Sequence, residues 1–234
     1  MDRFREKLPK LSALYDRFIT DEPQNFFRDL PRRLHGVGSA TFAFYAEIER
    51  WLGHIPEAEW VYYTDEVGRR RFLYDHSRHR FWERLHDTFN EALGAFVLRR
   101  NFGCEEIGFI RPNKRPRPDL VGKRGSLIHY LEVKTINHSQ EERDSWYKEP
   151  PLNCSTSLRR ELKEKIEDAY LRAISQLTAP PDAQAAKKIA VLVLDADYTF
   201  DPIDKPVADA VLEYLRLIER RDFEIRCHVR SPWN

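Results

Sequence analysis

The sequence predicts an α/β protein whose larger, C-terminal part folds around a mixed central sheet flanked by helices. Three observations carry this. From about residue 79 the pattern runs helix, three strands, helix, strand, helix, strand. Ile189–Leu194 is an uninterrupted apolar run, the mark of a central strand covered on both faces. Of the 234 residues, 41% are hydrophobic and 33% charged, a composition that can bury a sizeable core.

Residues 1–78 read as a helical region with a β-hairpin. Helices are expected over Phe4–Phe18, roughly 23–34, and Ala40–Leu52 after the Gly36-Val37-Gly38 break. Trp60-Val61-Tyr62-Tyr63 and Arg71-Phe72-Leu73-Tyr74 flank 64–68 as the arms of a hairpin that carries Arg69, Arg70 and Arg71. Three helices and a hairpin describe a winged-helix arrangement; a helical cap packed on the next domain is the alternative.

Residues 79–234 form the second region. The helix predicted over His79–Arg100 puts Trp82, Leu85, Phe89, Leu93 and Phe96 on one stripe, and Gly103 is a left-handed cap beyond it. Strands are expected at Glu106–Ile110, Asp119–Gly122 and Leu127–Ile136, the last two joined by a turn at 123–126. After a long loop at 137–156, a helix over Ser157–Leu177 presents Leu162, Ile166, Ala169, Ala173 and Leu177. The Ile189–Leu194 strand, a helix at about 206–220 and a strand at Phe223–Val229 complete the pattern.

The three cysteines lack paired spacing, and the eight histidines show no zinc pattern, so neither a disulfide scaffold nor a zinc site is expected. No apolar run approaches the ~18 residues of a membrane span, and the first residues lack a signal-peptide apolar stretch. A cytoplasmic location without membrane contact is the expectation. No phosphate-binding glycine loop is present. Total charge is nearly balanced, with 39 basic and 38 acidic residues, but nine Lys or Arg stand against four acids between Arg99 and Lys134. Arginine outnumbers lysine 28 to 11, and its guanidinium suits bidentate phosphate contacts.

The chemistry concentrates on Leu131-Glu132-Val133-Lys134-Thr135. Residues two apart in a strand share a face, so Glu132 and Lys134 lie side by side on a strand that is otherwise apolar. A tight hairpin brings Asp119 beside them. Two converging carboxylates repel unless a cation lies between them, and a hard divalent ion with oxygen ligands relieves that repulsion.

Pro118-Asp119 followed by Glu132-Val133-Lys134, on a hairpin between two helices, resembles the PD-(D/E)XK phosphodiesterase superfamily of restriction endonucleases, junction resolvases and repair exonucleases. The resemblance spans about residues 79–230. It implies a restriction-endonuclease-like αβββαβ core and Mg2+-dependent hydrolysis of DNA, with Mn2+ as a substitute ion. Asp119, Glu132 and the Val133 carbonyl would hold the ion, and Lys134 would position or deprotonate the attacking water and stabilise charge on phosphorus. Glu91 is the acid that the family often adds from its first helix, although it lies almost opposite the apolar stripe. Lys165, Arg172 and Gln176 run along the helix after the motif, where Lys165 and Gln176 would approach the phosphate. Arg111, Lys114, Arg115 and Arg117 feed into Asp119 as phosphate contacts. Trp146 and Tyr147 offer a base platform or a loop anchor, and Asp195 and Asp197 read as a turn after a buried strand. Cutting both strands implies a homodimer. The alternatives are a non-catalytic nucleic-acid-binding protein on such a fold and a nuclease acting on RNA.

Overall fold

Pro9 divides the first predicted helix. Lacking an amide hydrogen, proline is favoured at a helix start, and α1 (Asp2–Lys7) gives way to α2 (Pro9–Phe18) there. A computed structural model describes residues 2–34, 40–72, 83–137, 160–195 and 205–230. It divides the chain into two compact units, Met1–Val97 and Leu98–Ser231. The sequence pattern had parted the chain at 78/79.

The first unit continues with a short 3-10 turn at Phe26–Asp29, α3 (Leu30–Arg33), α4 (Ala40–Leu52), α5 (Glu57–Arg70) and most of α6 (Glu83–Arg100), whose last turn belongs to the second unit. The Glu49 carboxylate on α4 caps α2 by accepting the Lys10 and Leu11 amides, both at 2.8 Å. Phe26, Phe27, Phe44 and Phe89 form the buried aromatic centre.

The predicted hairpin at 60–74 is a correction. Residues 57–70 are helical, and no strand occurs among the described residues of the first unit, so there is no winged-helix wing there. The aromatic and β-branched run suggested a strand, but its burial follows helical spacing. Tyr63 and Val67 are buried four residues apart, and the Tyr63 hydroxyl donates to the Thr88 carbonyl at 3.0 Å. Glu57 and Glu59 in the first turn and Arg69 and Arg70 in the last complement the helix dipole. Residues 73 and 74 lie outside the described residues.

The second unit is α/β with an open, mixed five-stranded sheet. Its elements are β1 (Glu106–Phe109), β2 (Leu120–Arg124), β3 (Leu127–Ile136), α7 (Arg160–Leu177), β4 (Lys187–Asp195), α8 (Lys205–Ile218) and β5 (Phe223–Arg230). Strand order is β1-β2-β3-β4-β5. The first three strands are antiparallel neighbours, whereas β4 runs parallel to β3 and β5 parallel to β4. Gly103 takes a left-handed φ of 65° after α6, as its capping position requires. Gly122 is required for a different reason: a Cβ there would lie 2.8 Å from Cys104 Sγ.

Ile166, Ala169, Ala173 and Leu177 of α7 join Tyr130, Ala190 and Leu192 of the sheet in one core, and Val211 and Leu215 of α8 extend it. Each fully buried Ile or Leu in it contributes roughly 2 kcal/mol. From Ile189 to Leu194 every residue is buried, as the apolar run predicted. No helix among the described residues is long and apolar enough to cross a membrane.

His129 of β3 is 2% exposed, and its Nδ1 has no hydrogen-bond partner among the described residues. Burial, then the Lys187 ammonium, hold its pKa below the ordinary value of 6.5. A depressed histidine stabilises the fold above the unfolded pKa and loses that contribution as pH falls through the folded one. Urea midpoints are therefore expected to fall as pH drops below 6.5, with a shallower fall in His129→Leu.

Candidate metal centre

Hairpin symmetry brings the two acids together. Arg124 pairs with Leu127 across Gly125-Ser126, with Gly125 at φ 57°, and the register continues to Leu120 opposite Leu131. Asp119 and Glu132 are each one residue beyond that last pair, equidistant from the turn. A slip of one residue would turn Glu132 to the opposite face of the sheet.

Asp119 is held from several directions. Its carbonyl accepts the Ile110 amide at 2.8 Å, continuing the β1 ladder. Its Oδ2 accepts the Val133 amide at 2.8 Å. In a strand the amide and carbonyl of one residue point to the same side, so the Val133 carbonyl lies on the β2 edge of β3, the edge on which its amide meets Asp119. That is the edge needed for it to serve as a third oxygen ligand.

Glu132 has no exposed surface. Its Oε1 accepts from the Lys134 ammonium at 2.5 Å, while Oε2 is buried and without a hydrogen-bond partner among the described residues. Burial raises its pKa above the ordinary 4.5, and the Asp119 charge raises it further. Lys134 and the nearby Asp119 amide oppose the shift. An unpartnered carboxylate oxygen in a dry site beside a second carboxylate is costly by itself. The donor set of Asp119, Glu132 and the Val133 carbonyl is all oxygen and fits a hard divalent ion retaining waters. No cluster of three or more His, Cys, Asp or Glu side chains suited to a metal occurs among the described residues.

Compared with known proteins, the chain matches no family model, no curated protein and no solved structure.

The other residues singled out in the sequence have the following places. Glu91, in the first unit, accepts from Arg70 at 3.2 Å, and that guanidinium also donates to Thr88 Oγ1 at 2.7 Å. Lys165 donates to the Asn137 carbonyl at 3.3 Å, next to the end of β3. Gln176 donates to the Arg117 carbonyl at 3.0 Å, two residues before Asp119. In the structure these α7 side chains thus anchor backbone on either side of the two acids, a role the sequence spacing did not reveal. Arg172 pairs with Asp168 at 2.8 Å on the exposed face of α7. Lys114, Arg115 and Arg117 are exposed, and the Arg115 amide donates to Asn113 Oδ1 at 2.8 Å. Arg111 turns back to the Phe109 carbonyl at 3.2 Å. Trp146, Tyr147, Asp197 and the Asp195 side chain lie outside the described residues.

Gln176→Ala removes the Arg117 anchor and is expected to cost about 1 kcal/mol, read as a lower urea midpoint. Gln176→Lys retains a donor and is expected to recover most of it.

Proposed function

We propose that the chain is a metal-dependent nuclease of the restriction-endonuclease-like class that hydrolyses DNA phosphodiesters. The observation that carries this reading is the buried, unpartnered Glu132 Oε2 beside Asp119, with the Lys134 ammonium on the same strand face. An inert sheet gains little from such an arrangement, since a buried ion pair adds little net stability. The order of α6, β1–β3, α7 and β4 also agrees with what the PD-(D/E)XK resemblance implies.

Asp119, Glu132 and the Val133 carbonyl would hold Mg2+, with Mn2+ a substitute. When bound, the ion supplies Lewis-acid polarisation of a phosphodiester oxygen and makes hydroxide accessible near neutral pH. The chain's own residues do the rest. Lys134 is placed to orient the attacking water and to stabilise negative charge developing on the phosphoryl oxygens. Lys114, Arg115 and Arg117, exposed on the segment entering Asp119, offer the phosphate backbone salt-sensitive contacts. Lys165 and Gln176 keep the flanking backbone in position.

The test is cleavage of duplex DNA, single-stranded DNA and RNA in Mg2+, in EDTA and by Asp119→Asn. The reading expects DNA cleavage that EDTA and the substitution both abolish. It also expects Mg2+ or Mn2+ to raise the melting temperature of the wild type but not of Asp119→Asn. Cleavage that survives EDTA and the substitution would overturn the mechanism, and cleavage confined to RNA would change the substrate. The direct Lys134–Glu132 contact favours a second reading, a non-catalytic nucleic-acid-binding protein whose buried charge is neutralised internally. DNA binding without cleavage and without a metal-induced melting shift would identify it.

A further inference from the structure

A second basic site lies elsewhere on the second unit. An open pocket of about 510 Å3 is formed where β4 and β5 begin and α8 ends. Along the strands it sits at the level of Lys188 paired with Phe223, two residues before Ala190 and Ile225, which align with Glu132. One of its three acids is neutralised by ion pairs. Glu224 pairs with Lys187 at 2.6 Å and also with Arg226, which together hold its pKa below 4.5 despite the opposing effect of burial. Glu219 accepts the Ile225 amide at 3.0 Å. The cations Lys188, Arg216, Arg220 and Arg221 make no ion pair among the described residues, against two acids without a cationic partner, Glu219 and Asp222.

The end of α8 accounts for only part of this charge. Arg216, in the last turn, complements the negative end of the helix dipole. Arg220 and Arg221 lie beyond the helix, and Lys188 comes from β4 with its ammonium 5.4 Å from the centre of the Phe223 ring. Four cations without an ion pair, from β4, α8 and the segment after it, therefore line one open concavity. Arg216, Arg220 and Arg221 are exposed and approach from an open side. A small anion needs converging, buried donors, whereas an extended phosphate backbone needs a row of exposed ones.

We propose that this pocket binds the phosphate backbone of a nucleic acid, as a contact additional to the segment entering Asp119. The choice of nucleic acid among polyanions rests on the nuclease reading; the electrostatic argument does not.

The experiment uses the full chain in EDTA, so that binding is measured without turnover. Fluorescence anisotropy follows a labelled DNA duplex of about 20 base pairs against the wild type and Arg216→Glu/Arg220→Glu/Arg221→Glu. A control with the same charge change, Lys7→Glu/Arg28→Glu/Arg32→Glu, is placed in the first unit. The pocket variant is expected to raise Kd at least about tenfold and to lower the slope of log K against log salt by about 3, while the control changes both much less. Equal effects from the two variants, an unchanged Kd in the pocket variant, or no wild-type binding at low salt would each overturn the proposal. Because cleavage in Mg2+ is scored separately, loss of this contact and failure of the nuclease reading give different results.

Discussion

Glu132→Gln is expected to make the metal-free protein more stable while abolishing its proposed activity. The wild-type side chain has no exposed surface, and burial together with Asp119 disfavours its charge. An acid whose folded pKa is raised acquires a stability penalty as pH climbs above its unfolded value, and the full penalty is reached only above the folded value. The isosteric amide removes that charge. A gain of about 2 kcal/mol near neutral pH, or about 5 °C in melting temperature, is the expected size. The advantage should shrink as pH is lowered toward 4.5 and vanish below it, where the wild-type carboxyl is protonated in both states. Metal-dependent DNA cleavage should fall by about three orders of magnitude, since an amide cannot replace a carboxylate ligand to a hard ion. Stability at neutral pH that falls in Glu132→Gln would show that the carboxylate is already compensated, and would remove the physical argument for a cation there.

Lys134→Ala has the opposite effect on the fold. It takes the cation from Glu132 Oε1 while Oε2 already lacks a partner, leaving the carboxylate, when ionised, without its counter-ion. Where the pH keeps the carboxylate ionised, breaking such a pair from one side costs about 3 kcal/mol, measurable as a lower urea midpoint; nearer neutrality the carboxyl, its pKa already raised by burial, takes up a proton and the loss is smaller. The double variant Glu132→Gln/Lys134→Ala is expected to recover most of that loss, because the stranded charge is gone, and the cycle of four proteins isolates the coupling. Cleavage by Lys134→Ala should fall about a hundredfold or more in Mg2+, the usual range for losing a proton-transfer or charge-stabilising group. A variant that loses stability but retains full cleavage would make Lys134 a structural counter-ion only.

What was legible in the chain was whatever short-range geometry governs. The β3 range follows from its mostly apolar composition and its bounding turn. The pairing of Asp119 with Glu132 follows from the Gly125-Ser126 turn, because a tight turn dictates which residues face each other. The buried strand at Ile189–Leu194 and the α7 stripe were likewise readable, since an unbroken apolar run and a helical repeat of apolar positions decide them. Long-range packing decided the rest. Residues 60–63 have strand-like composition yet lie within the helix over 57–70, because Tyr63 and Val67 are buried at helical spacing and the ends carry the charges a helix dipole favours. Gln176 and Lys165 looked like substrate contacts on helix position alone, and only the three-dimensional fold showed the carbonyls of Arg117 and Asn137 within their reach. The basic pocket was equally hidden, since Lys188 and Arg216 are far apart in sequence and charge pattern along a chain does not report which elements converge. By itself the sequence determined which two acids share a hairpin; the tertiary structure alone decided how dry their surroundings are, because dehydration depends on every element packed around a site and not on the strand that bears it.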